Sequence, residues 1–147
     1  TGCSRTTPAG GKKADRALDR GTVVLHAGGR TVRVGVEVAR TPAQRSRGLK
    51  YRTKLATHGG MLFIFDRQEV QTFWMQDTYI PLDMVFIDDG LRVVGIVENA
   101  EPLTQISRRV EAPSTYVLEV KGGFCRARGI EPGTRVTFEG IELSPRR

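Results

Sequence analysis

Apolar residues recur at every second position through much of this chain, the signature of strands with one buried face. In Arg30–Ala39, Val32, Val34, Val36 and Val38 share one face while Thr31, Arg33 and Glu37 occupy the other. Residues 22–27 precede it, and Gly28-Gly29 between the two segments supplies a two-residue turn, so a first hairpin is predicted. The period changes at Thr41-Pro42-Ala43-Gln44, which reads as a threonine N-cap, a proline at the first helical position and a glutamine placed to complete a capping box. One short helix is expected from there to about Arg47, ended by Gly48.

Met61-Leu62-Phe63-Ile64-Phe65 is a continuous apolar run and predicts a strand buried on both faces. Residues 66–71 form a polar connection, and residues 72–75 begin another strand in which Phe73 and Met75 share a face and Trp74 takes the opposite one. With apolar neighbours on both sides of this part of the sheet, Trp74 is expected to be mostly buried, its N–H bonded near the mouth of a cleft. Pro81 cannot donate to a ladder, so residues 78–82 should turn at a sheet edge. A second hairpin follows over residues 83–88 and 91–98 through Asp89-Gly90. After a polar loop over 99–113 come a strand at 115–120, a helical turn at 123–128 and a last strand at 134–143, entered through Glu131-Pro132-Gly133. The sum is a mainly β chain of about eight strands and one short helix, read as an antiparallel β-sandwich, a jelly-roll-like fold or a barrel.

At 147 residues with 39% apolar content, the chain is one domain long and can bury a core without disulfides or a metal. Residues 1–21 carry almost nothing large and apolar and are expected to be a flexible linker; 22–143 form the β domain and 144–147 a tail. The two cysteines, Cys3 and Cys125, do not read as a disulfide framework, and Cys125 fits a small buried residue. Thr1-Gly2-Cys3-Ser4 matches the tail of a bacterial lipobox, so Cys3 is the expected lipidation site and the cell envelope, lipid-anchored or secreted, the expected location.

The net charge of +7 is unevenly spread. Between Arg30 and Lys54 stand eight Lys or Arg against Glu37 alone, whereas residues 66–101 hold eight acids against Arg67 and Arg92. The basic stretch lacks interleaved aromatics apart from Tyr51, and no nucleic-acid motif is present, which argues against DNA or RNA as partner.

Residues 60–98 hold the only tryptophan, all three methionines and four of the six phenylalanines, and this stretch also carries the candidate chemistry. Trp74, Asp77, Thr78 and Asp83 are expected to rim a ligand-binding cleft for a small molecule, glycan or peptide, a binding function rather than a catalytic one. One alternative is a hydrolase using Asp77 and Asp83, since paired carboxylates split their pKa values. The other is a Cu(I) module using Met61, Met75, His58 and Trp74, soft donors with a cation-π face. Each has a plainer counterpart: Asp and Thr beside a proline commonly fix their own turn, and methionine on a strand usually fills a core. No motif calls for a cofactor.

Several of these residues together resemble the bacterial and archaeal DUF192 (UPF0127) family. They are Thr41, Arg45, Arg47-Gly48-Leu49, Gly60-Met61-Leu62-Phe63, Phe73-Trp74-Met75, Thr78, Ile80-Pro81-Leu82-Asp83, Phe86-Ile87-Asp88, Tyr116-Val117-Leu118-Glu119, Gly129-Ile130 and Gly133. The resemblance covers roughly residues 32–138 and implies a compact β-rich domain, sandwich or jelly-roll in type, often following a signal peptide or lipid anchor, with no established activity. Gln76 and Asp77 depart from the basic residue and asparagine usual there, and Lys50 from an apolar one.

Overall fold

The computed structural model describes residues 18–143. Seven strands form one sheet: β1 (Asp19–Ala27), β2 (Arg30–Ala39), β3 (Gly59–Glu69), β4 (Leu82–Ile87), β5 (Val93–Ala100), β6 (Ser114–Lys121) and β7 (Arg135–Glu139). Among the described residues there are two short helices, α1 (Pro42–Arg47) and α2 (Phe124–Arg128). The expected linker up to Ala17, Cys3 and the tail lie outside the described residues. Asp19 to Gly21, assigned to the linker by composition, belong to β1, where they pair with Val38 to Val36.

The strand order is β5-β4-β6-β3-β2-β1-β7. All pairings are antiparallel except β2 with β3, which run parallel with Gly35 opposite Gly59 and Ala39 opposite Phe63. This corrects the all-antiparallel expectation. Parallel neighbours cannot be joined by a hairpin, and the crossover here is residues 40–58, which contain α1. The sheet curls into a half-barrel rather than splitting into a sandwich of two sheets. At one end its two edges touch: Arg92, just before β5, bridges Arg135 of β7, and the Val93 N–H donates to the Thr134 carbonyl over 2.9 Å.

The curl gives the sheet two unlike faces. The inner one gathers Val23, Leu25, Val34, Leu62, Val85, Leu118 and Val136 with Phe124 and Cys125 of α2 into one core. Four valines of β2 all point here, as their alternation requires. The outer face of β3, β4 and β6 carries Met61, Phe63, Met84, Phe86 and Val117, covered by Leu49, Met75 and Ile80 from the long connections. β3 is therefore apolar on both sides: Met61 and Phe63 face out, Leu62 and Ile64 face in.

α1 forms as its sequence directs. Thr41 Oγ1 accepts the Gln44 N–H over 3.1 Å, Gln44 Oε1 accepts the Thr41 N–H over 3.1 Å, and Gly48 ends the helix with φ +49°. A side chain at Gly48 would also press on the Phe63 ring, 3.2 Å from the position of its first carbon, so glycine lets the helix end settle on β3. Residues 72–75 differ from expectation. They make only a bridge, Phe73 with Arg108, and run over the sheet as part of its cover. Phe73 and Met75 do share a face, turned down on the outer core.

Candidate functional site

Each carboxylate singled out in the sequence has a definite place. Asp83 is fully buried on the inner side of β4, between outward-facing Leu82 and Met84. Its Oδ1 accepts the Asn99 N–H at 2.8 Å and the Gly123 N–H at 3.1 Å, and its Oδ2 the Cys125 N–H at 2.9 Å. Those three bonds tie the end of β5 and the start of α2 to β4, which makes Asp83 a structural anchor and not a rim residue. Burial and this neighbouring carboxylate push the Cys125 thiol up, so it stays protonated and unreactive. Asp77 sits half-buried on the surface, where its carboxylate accepts the Tyr51 hydroxyl at 3.1 Å and raises that phenol's pKa. The two acids are thus committed to separate partners, and the pair that hydrolysis would use is not assembled.

The copper set is not assembled either. Met61 and Met75 fill the outer core, whereas His58 packs edge-on against Phe124 of the inner core, their rings 5.5 Å apart. Among the described residues no group of three or more His, Cys, Asp or Glu is placed to hold a metal.

Trp74 is 54% exposed, which corrects the expectation of burial. The alternation was right, but the segment lies on top of the sheet instead of inside it, so the face opposite Phe73 and Met75 looks at water. Trp74 nonetheless borders a cleft of about 490 Å³, open between α1 with its following turn on one side and residues 72–78 on the other. Thr78, buried in the wall, lines the cleft and donates its hydroxyl to the Gln76 carbonyl at 3.2 Å. Of the four predicted rim residues, Trp74 and Thr78 meet here; Asp77 and Asp83 do not line it.

The cleft's other wall is basic. Arg45 is fixed, its guanidinium donating to the Arg40 carbonyl and, over 3.0 Å, to the Ile64 carbonyl while lying 5.0 Å from the centre of the Phe65 ring. Arg47 and Lys50 line the cleft without an ion pair among the described residues.

The floor holds the residue that sequence reasoning passed over as a site. Glu119 of β6 alternates with Val117 on the outer face and sits in register between Met61 of β3 and Met84 of β4. It is buried yet lines the cleft, and no described residue gives its carboxyl a hydrogen bond or ion pair. Burial in this apolar setting pushes its pKa from 4.5 up to about 8, so at neutral pH it is largely the neutral acid. A carboxylic acid offers one O–H donor and an acceptor oxygen to whatever enters the cleft. The signal was available: a single acid inside Tyr-Val-Leu-Glu-Val, a run apolar on both faces, has no solvent side to turn to.

The DUF192 model (Uncharacterized ACR, COG1430) matches residues 23–138, nearly all of the described domain. The chain belongs to the DUF192 family. Two solved structures resemble this DUF192 domain closely. A Sinorhizobium meliloti 1021 protein, provisionally described as a transcription regulator, is 37% identical with a TM-score of 0.82, over 85% of this chain and 98% of that one. A protein of unknown function from Novosphingobium aromaticivorans DSM 12444 is 35% identical with a TM-score of 0.79, over 82% of this chain and 86% of that one. None of the curated proteins compared with the chain matches it.

Proposed function

We propose that this DUF192 domain is a non-catalytic binding module whose cleft takes a small polar ligand with one apolar face, a saccharide being the class that fits best. The observation that carries this is Glu119, a buried carboxyl with no partner among the described residues at the floor of an open cleft. An unpaired buried polar group costs free energy unless something completes it, and a ligand hydroxyl can both donate to and accept from a neutral acid. The half-exposed Trp74 indole offers a flat apolar surface at the mouth, and Arg47 and Lys50 favour a ligand that also carries negative charge. Binding is preferred to hydrolysis because Glu119 is the only carboxyl among the residues lining the cleft, and glycoside cleavage ordinarily employs two.

The test is a titration with neutral and acidic saccharides, followed through the fluorescence of Trp74, the only tryptophan. Wild type should respond to at least one of them, and Glu119→Leu should bind about tenfold or more weakly, a loss of roughly 1.4 kcal/mol. A Glu119→Leu protein that is folded and binds as wild type does would remove the cleft from consideration.

A further inference from the structure

Beyond the cleft, the cover of the sheet carries an exposed apolar group that the fold does not use. Leu103 is 60% and Ile106 67% exposed, and on the connections bonded to theirs the exposed Tyr51 and Tyr79 meet edge-on with ring centres 6.3 Å apart. These four side chains are borne by three connections that are laced together. The Tyr51 N–H donates to the Asp77 carbonyl at 2.8 Å, the Leu103 N–H to the Thr78 carbonyl at 3.0 Å, and Phe73 exchanges both backbone bonds with Arg108. Tyr51, Asp77 and Leu103 all hold positive φ, +66°, +56° and +65°, a conformation uncommon outside glycine. The backbone is thus fixed in an unfavourable form that leaves Leu103 pointing outward, where a frayed loop would have relaxed.

On these three connections eight cations stand against three acids, Glu101, Glu111 and the Asp77 that holds the Tyr51 hydroxyl. Arg47 lies near enough to Tyr51 for its charge to act on the phenol, Lys50 adjoins Tyr51 in the chain, and Lys54, Arg108 and Arg109 stand on the same connections. None of these five is in an ion pair among the described residues. Exposed aliphatic and tyrosine side chains on connections with an excess of cations, five of them unpaired, match the interface of an anionic lipid bilayer, with its apolar interior beneath a layer of negative headgroups. A second copy fits poorly, since a two-fold contact would set one net positive surface against another. Residues 1–17 fit no better as a cover, with four cations, one acid and no large apolar residue. We infer that the surface formed by Tyr51, Tyr79, Leu103 and Ile106 docks on anionic membranes, independently of any lipid on Cys3. No helix among the described residues is long and apolar enough to cross a bilayer.

The experiment uses the full chain carrying Cys3→Ser, which removes any acyl anchor, sedimented with vesicles of phosphatidylcholine alone or mixed with phosphatidylglycerol. Binding should appear with the mixed vesicles, weaken as salt rises, and fall about tenfold or more in a Leu103→Asn, Ile106→Ser double variant, which leaves the charge unchanged. Asparagine tolerates positive φ better than leucine and both positions are exposed, so this variant should keep its melting temperature. The inference is overturned by absence of binding, by equal binding to both vesicle types, or by undiminished binding of the folded double variant, which would reduce the effect to charge alone. Self-association in place of vesicle binding would assign the surface to a second copy and overturn it equally.

Discussion

Asp83 and Glu119 are both buried carboxylates on paired strands of one sheet, and they have opposite situations. Asp83 faces the inner core and receives three backbone N–H groups, from Asn99, Gly123 and Cys125. Glu119, on β6 next door, faces the outer layer between two methionine-bearing strands and receives none from the described residues. An ionised acid is stable in a protein only where donors replace the water it lost. The inner face supplies donors and gains a strut between three elements; the outer face withholds them and keeps a neutral acid open to the cleft. Burial alone therefore does not distinguish an acid that braces the fold from one left open to the cleft; the hydrogen bonds it receives do.

The largest break in that comparison should come from Asp83→Ala. It leaves three backbone donors without an acceptor, the buried Cys125 N–H costing about 3 kcal/mol and the part-buried Asn99 and Gly123 N–H groups about 1 kcal/mol each, so a loss of about 5 kcal/mol is expected. Against a typical domain stability of about 5 to 15 kcal/mol, the variant should be largely unfolded at 37 °C. Denaturant melts followed by circular dichroism decide this, and a loss under about 2 kcal/mol would mean that water or a rearranged turn satisfies the amides.

The sequence made the inner face readable and the outer one only in part. Inner positions follow strand alternation, as in the four valines of β2, and the capping box at Thr41 fixed α1 to the residue. Two things lay outside that logic. The β2–β3 pairing is parallel because a helix-bearing crossover joins them, and nothing in the local pattern of either strand states the direction of its neighbour. Residues 72–75 alternate like a strand while lying across the sheet, so the alternation told correctly which side of Trp74 faces away from the core but not that water lies there. Asp77 and Asp83 drew attention because they are close in the chain; Glu119 reaches the cleft only through sheet pairing, which brings it beside Met61 from more than fifty positions away.

Glu119→Gln should have a smaller effect, visible as a changed pH dependence. The folded pKa of about 8 lies above the unfolded value near 4.5, so the folded state binds the proton more tightly. The resulting stability is fully present below pH 4.5 and is lost as pH rises through about 8. At about 1.4 kcal/mol per pH unit the ceiling is roughly 5 kcal/mol, and water entering from the cleft should reduce it to roughly half. The glutamine variant, neutral throughout, should lack this slope and be more stable than wild type at pH 9. Parallel stability curves for the two proteins from pH 5 to 9 would show that the carboxyl finds a partner or solvent that its surroundings do not suggest.

The smallest expected effect on stability is that of Trp74→Ala, and it separates the cleft's rim from its floor. A fully buried tryptophan would cost about 3 to 5 kcal/mol on truncation. Trp74 is 54% exposed and its neighbours Phe73 and Met75 carry the contacts with the outer core, so the loss should stay under about 1.5 kcal/mol. Phe73→Ala on the next residue supplies the contrast, since its ring packs edge-on against Phe63, Phe65 and Phe86 at 5.0, 6.0 and 6.1 Å and should cost about 3 kcal/mol. Saccharide affinity should move the other way, falling for Trp74→Ala by about fivefold or more when read by calorimetry, because the fluorescent reporter is gone. Equal stability losses in the two variants would show that the indole packs as firmly as the phenyl ring, and the cleft would then lose its exposed wall.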